Sequence, residues 1–381
     1  MNSLSIRNNK EFYLTLITIS LPIMLQNLIT SSFSIVDNIM IGNLGTDYIA
    51  ATGMANQIVF LLVLLSFGTC SGTSIFIAQF WGKQEIQQIK HVVALGFRIT
   101  GIIASAFFVA SFFAPRAIMS LLTPDPNVVE LGTVYLRIIA PTFLGYAVGF
   151  PITFASRSVG KPKIAMYGSI LSILINTVLN YGLIFGHFGL PRLGIVGAAY
   201  ATLISKAVEL FLLLYWTKRH IPFVLFGWNE LRKIPKELTR DVMRRALPVL
   251  LNEGFWSLGM TAISVIISWS STEAVAAYFV ANVVMSLFQV LSFGIGNASA
   301  TMLGNQLGAG ERERALDYNK KLLAINTLSG VVTAVAIFAS AGWIVHTFYN
   351  MEPEAAKAAV YTLWVIAIAL PLKFYNTVMI I

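Results

Sequence analysis

The sequence predicts an all-α, polytopic membrane protein made of two pseudo-symmetric, parallel six-helix lobes. Three observations carry that prediction. Residues 21–90 and 247–316 align without a gap at a constant offset of 226, with 17 of 70 positions identical. Both copies are built from long apolar stretches, so the repeat is a membrane repeat. Of the 381 residues, 56% are apolar and only 11% charged, and mean hydropathy is +0.75. A soluble domain usually carries roughly twice that charge fraction.

A helical span needs about 20 mostly apolar residues. Ten are expected, and each has its own mark. The first, about 12–39, holds Pro22 and, near its far end, Asp37. The second, 48–80, contains the small-residue run SFGTCSGTS, where Cys70 is expected to serve packing. The third and fourth are read at 92–120 and 129–155, the latter with Arg137 inside it. The fifth, 164–186, carries Asn176 and Asn180, and the sixth, 194–217, carries Thr202, Lys206 and Glu209. A polar linker follows. The seventh, 247–269, holds Pro248 and Glu253, and the eighth to tenth fall at 274–305, 322–348 and 357–381.

Orientation follows from the basic residues. Of 26 Lys and Arg, 19 lie in one alternate set of loops and flanks, including Arg157, Lys161 and Lys163. That set is expected to face the cytoplasm, with the N-terminus on the same side and the plasma membrane as the location. The net charge of +9 is spread through these loops, which argues for topology and against a nucleic-acid partner. The repeat starts are six spans apart, an even number, so both copies enter the membrane from one side. The expected division is a lobe over 1–219, a linker over 220–246 and a second lobe over 247–381. In the linker, Pro235 is expected to start a short amphipathic helix bearing Arg240, Arg244 and Arg245, lying against lipid headgroups. Nothing after the repeat answers to 156–217, so two further helices are expected beyond residue 381; a ten-helix chain with an incomplete second lobe is the alternative.

Ionisable groups inside spans are costly unless paired or hydrated, which makes each a functional candidate. Asp37 has Ile263 as its repeat partner, so symmetry does not require a carboxylate there. It can bind a cation inside a cavity, or sit at the interface against outer water. Glu253 has Asn27 as its partner and follows Pro248 by five residues; it suits a cavity or an interhelical hydrogen bond. Pro22 and Pro248 are equivalent, and each removes one helical hydrogen bond, so both are hinge candidates. Asn176 and Asn180 are four apart on one face. With Thr202 opposite, amide and hydroxyl oxygens beside one carboxylate would make a site for a small hard cation or proton-linked water. Interhelical hydrogen bonding is the structural alternative. Lys206 and Glu209 are expected to pair, and Arg98 to snorkel. The four histidines, 91, 187, 220 and 346, lack metal-ligand spacing, and there is no Walker loop. No nucleophile and base stand together, so an enzyme and an organic cofactor are not expected.

The motifs resemble the multidrug and toxic compound extrusion family along the whole chain. They are VDNIMIGNLG, GTSIFIAQFWGK, SATMLGNQLGAGERERAL, FASRSVGKPKIAMYGS, NTVLNYGLIFG and GLPRLGIVGAAYAT. The resemblance implies twelve helices, a V-shaped central cavity, and antiport of organic, mostly cationic compounds against Na+ or H+. Small organic cations and membrane lipids are then the partners, and a monomer is expected. It also implies that Asp37, Asn176, Asn180 and Thr202 form the cation-coupling site, with Na+ as the metal it could hold. Asn180 stands where some members carry aspartate. Glu253 matches a second-lobe glutamate whose usual aspartate partner is missing, since no acidic residue follows Glu354. Loading of Asp37 is expected to let the first helix bend near Pro22 and release the drug outward. Two rivals remain. One is a lipid-linked oligosaccharide or polysaccharide flippase of the same superfamily, which would need a basic cavity. The other is a membrane scaffold, which has no reason to bury carboxylates.

Overall fold

The computed structural model describes residues 2–268, 272–348 and 353–380, and all its long elements are α-helices. In order they are α1 (Asn2–Gly42), α2 (Thr46–Gly82), α3 (Ile86–Phe113), α4 (Pro115–Leu122), α5 (Pro126–Ile139), α6 (Pro141–Ser158), α7 (Lys163–Phe185) and α8 (Ile195–His220). The rest are α9 (Trp228–Arg232), α10 (Lys236–Ser268), α11 (Thr272–Gly308), α12 (Arg312–Phe348) and α13 (Pro353–Ile380). Among the described residues, seven helices are long and apolar enough to cross a membrane, and the bent pair α5–α6 makes an eighth. The protein is therefore a multi-pass membrane protein. The two spans expected at 247–269 and 274–305 fall within α10 and α11, partly on residues outside the described ones.

Prolines punctuate the first half. The third span does not continue to residue 120. Ala114 leaves helical geometry (φ −126°, ψ 41°) ahead of Pro115, and α4 begins as a separate helix. A residue before proline is pushed out of the α region by the ring, which accounts for the break. The fourth span is likewise two helices, bent by 49° at Ala140–Pro141. Pro141 has no N–H to continue the ladder and takes the first helical position, where that loss is harmless. Asp125 caps α5 by accepting from the Asn127 N–H at 2.9 Å. Gly186 closes α7 in the left-handed region at φ 81°, a conformation suited to glycine.

The linker also departs from expectation. A helix does begin after Pro235 and carries Arg240, Arg244 and Arg245, but it does not end before the seventh span. α10 runs unbroken from Lys236 through Pro248. Ahead of it, Trp228–Arg232 forms a separate turn of helix. There, hydrogen bonds from the backbone N–H groups of Glu230 itself and of Gly227 hold the Glu230 carboxyl below the usual carboxylate range.

Packing groups the helices into two compact units, Leu25–Leu251 and Met1–Met24 with Asn252–Ile381. The lobe boundaries above divide the chain by its repeat, whereas these units divide it by contact. The changeovers fall inside α1 and α10, two residues after Pro22 and three after Pro248.

The Leu25–Leu251 unit has two apolar centres. One lies around Met119, Leu136 and Phe143, the other around Ile89, Val93, Ile152 and Val242. Trp81 stacks on Phe223 at 5.0 Å between ring centres in the second. Thr100 joins α3 to α6 here, its hydroxyl lying 2.9 Å from the Ala147 carbonyl. Thr100→Val is expected to lower stability by about 0.6–1 kcal/mol, a typical interhelical value. The check is a melting curve in detergent: a drop of a few degrees with transport unchanged.

In the other unit, α11, α12 and α13 pack around Ile337, Leu370 and Phe374. Phe12, Ile23 and Leu322 form a second centre. Along α13 the exposed positions Tyr361, Val365, Ile368 and Leu372 form one apolar stripe at helical spacing. In water such a stripe would be a liability; in a bilayer it meets acyl chains.

Candidate functional site

Three helices of the Leu25–Leu251 unit converge on Asp37. α1 supplies the carboxylate near its C-terminal end, α7 supplies Asn176 and Asn180 from adjacent turns, and α8 supplies Thr202. The close fit of α7 and α8 starts at Gly197. A Cβ there would lie 2.5 Å from the Leu183 carbonyl oxygen, so only glycine lets the first turn of α8 rest on the last turn of α7. That carbonyl also accepts from the Leu193 N–H at 2.8 Å, which fixes the loop between them.

The four side chains form one hydrogen-bonded chain. The Asn180 amide Nδ2 donates to Asp37 Oδ1 at 2.5 Å and to Asn176 Oδ1 at 2.7 Å. Asn176 Nδ2 donates in turn to Ser205 Oγ at 3.2 Å and to Thr202 Oγ1 at 3.4 Å. Asn176 and Asn180 are each 1% exposed. Because Nδ2 of Asn180 faces two acceptors, its orientation is set by the network. Its Oδ1 is then a buried acceptor with no hydrogen-bond partner among the described residues. An orphaned acceptor beside a carboxylate calls for a cation or a water. The donor set is all oxygen, which suits a small hard cation. Among the described residues, no three of His, Cys, Asp and Glu come together, so a transition-metal centre has no ligand set there.

Sequence reasoning missed Tyr135. On α5 it is 2% exposed, with its hydroxyl against Thr202 and near Asp37. A tyrosine in an apolar span reads as packing, and only its hydroxyl, which needs a partner when buried, hinted otherwise.

The remaining candidates fall elsewhere. Pro22 is buried within α1 and Pro248 exposed within α10. Glu253 sits on α10, but its side chain lies outside the described residues. Lys206 and Glu209 pair at 2.8 Å on α8. Arg98 and Arg137 are exposed, and neither belongs to the Asp37 network.

Known proteins resemble this chain throughout. Residues 22–182 and 248–380 match the family described as MatE. The two matches begin at Pro22 and Pro248, in the register of the internal repeat. The chain is 30% identical over 350 residues to the probable multidrug resistance protein YoeA of Bacillus subtilis (strain 168), covering 90% of this chain and 75% of that one. It is 28% identical over 330 residues to the multidrug resistance protein NorM of Burkholderia vietnamiensis, covering 85% and 71%. Its fold matches an outward-facing multidrug resistance MATE family transporter of the MOP superfamily, with a TM-score of 0.84 at 21% identity over 96% of this chain and 81% of that one.

Proposed function

The chain belongs to the MatE family, whose members are transporters and not enzymes, and we propose that it exports organic, mostly cationic compounds in exchange for Na+ or H+ at Asp37. One observation carries the proposal. A carboxylate with no counterpart in the other repeat is held in a buried chain of amides that leaves one acceptor, Asn180 Oδ1, without a partner among the described residues. That unpartnered oxygen beside a carboxylate gives a small cation two oxygen ligands, which supports the reading.

The coupling cation takes oxygen contacts from Asp37 and Asn180, with Thr202 within reach through Asn176. Its arrival neutralises the carboxylate and alters the contact between α1 and α7. Pro22 leaves the Thr18 carbonyl of α1 without a helical donor, so the helix bends there at low cost. The cation needs only to favour one of two conformations over the other, and organic-cation affinity falls by the same factor. The protein works in the plasma membrane as a monomer with its N-terminus in the cytoplasm, and needs no organic cofactor.

The test is ethidium uptake into everted vesicles, whose outer face is the cytoplasmic one, under imposed gradients. Sodium is varied at constant pH, and pH at constant sodium. One of the two is expected to drive export; export that responds to neither contradicts the proposal. Asn180→Asp supplies a second charge to the same site. It is expected to lower the half-saturating concentration of the coupling ion about tenfold, equal to roughly 1.4 kcal/mol. An unchanged or weakened ion dependence in that variant would place the ion elsewhere.

A further inference from the structure

The polar chain at Asp37 does not stop there. On α1, Gln26 and Thr30 share the face of Asp37, three and two turns before it, Gln26 to Thr30 being a step of four and Thr30 to Asp37 a step of seven. On α7, Ser169 and Ser172 continue the stripe of Asn176 and Asn180. On α8, Lys206 and Glu209 continue the stripe of Thr202 and Ser205. From Asn180 to Ser169 is 11 residues, about 16 Å of helix.

The far end is a second network. Glu209 Oε1 accepts from Ser169 Oγ at 2.7 Å, and its Oε2 accepts from Lys206 Nζ at 2.8 Å. Ser169 also accepts from Gln26 Nε2 at 2.9 Å, and Gln26 Oε1 accepts from Arg157 Nη2 at 2.8 Å. Between the two networks lies a cavity of about 30 Å³. Thr30, Asn176 and Thr202 bound it on the Asp37 side, and Ser169, Lys206 and Glu209 on the other. That volume has room for about two waters, and the hydroxyl, amide and carboxylate groups among its lining residues can hydrogen-bond them.

An ion pair inside a membrane span is not needed for packing and is often replaceable by apolar residues without loss of stability. Lys206 also has an alternative seat, since its ammonium lies 5.9 Å from the centre of the Tyr146 ring face. Arg157, at the end away from Asp37, belongs to the basic set assigned to the cytoplasm.

We propose that this chamber and the Glu209–Lys206 pair form the inner half of the coupling cation's route, an exit station distinct from the Asp37 site. The cation leaves Asp37 through the chamber waters and reaches Glu209 as Lys206 moves toward Tyr146. It then departs on the Arg157 side. The route takes a monovalent cation, either Na+ or a proton carried on water. It rests on the reading of Asp37 as the coupling site.

The test uses the purified full chain in proteoliposomes. Ethidium exchange is driven by a sodium gradient at fixed pH in one arm and by a proton gradient without sodium in the other. Glu209→Gln is expected to slow exchange at least tenfold in the arm that drives the wild type. Equilibrium ethidium binding is expected to stay as ion-sensitive as in the wild type, because the Asp37 station remains intact. The double variant Lys206→Met with Glu209→Met separates a route from a brace. A structural pair replaced by packed apolar side chains restores wild-type turnover, whereas a route stays slow at an unchanged melting temperature. Wild-type turnover in either variant overturns the proposal. If Asp37→Asn keeps ion-sensitive ethidium binding, the coupling reading itself fails and the route falls with it.

Discussion

Asp37→Asn is expected to bring gradient-driven ethidium export down to the level of vesicles lacking the protein, while the protein folds and inserts normally. Asparagine keeps the size of the side chain and can still meet Asn180 Nδ2 through its own carbonyl oxygen. What disappears is the charge. Coupling free energies of about 1–3 kcal/mol, or factors of 5–150, are typical between two sites, and the variant is expected to lose the whole factor. Passive ethidium binding, which depends on other surfaces, is expected to survive. Export by Asp37→Asn with undiminished ion dependence would remove Asp37 from the mechanism.

The second large effect is structural. Gly197→Leu is expected to cripple both stability and transport. Its Cβ would meet the Leu183 carbonyl oxygen at 2.5 Å and the carbonyl carbon at 2.7 Å. Backbone cannot swing aside as a side chain can, so α8 must separate from α7. Overpacking of this kind costs about 1–3 kcal/mol, occasionally more. The displaced helix carries Thr202, Lys206 and Glu209, so the Asp37 network and the chamber open with it. A melting temperature several degrees lower and loss of ion-driven export are both expected. Gly197→Ala keeps that Cβ clash without the bulk beyond it and is expected to fall between. A leucine variant with wild-type melting behaviour would show that the two helices do not depend on that approach.

Much of the fold was legible in the sequence because a bilayer imposes simple rules. Length and hydropathy located the long helices, and the offset of 226 paired Pro22 with Pro248, the two points where family matching begins. The breaks were harder. Hydropathy runs smoothly through Ala114–Pro115 and Ala140–Pro141, so a window average sees one span where the proline ring has made two helices. The start of α10 is hidden for the opposite reason. Its first turns are too charged to resemble the apolar span they continue.

For the site, the four-residue step from Asn176 to Asn180 exposed a shared face, and the lone carboxylate at position 37 drew attention to α1. The amide of Asn180 turning toward both partners is a tertiary fact. So is the meeting of Gln26 with Arg157, residues 131 positions apart on two helices that the sequence does not link. Tyr135 was hidden because an aromatic inside an apolar span reads as packing.

The central claim is that one carboxylate carries the coupling cation and that its occupancy sets the affinity for the exported compound. The direct measurement is equilibrium binding of ethidium to the purified protein, titrated with sodium at fixed pH and with protons at fixed sodium, for the wild type and Asp37→Asn. Ethidium affinity is predicted to fall as one ion is added to the wild type and to stay flat in the variant. An ion-independent affinity in the wild type, or the same fall in Asp37→Asn, would contradict it.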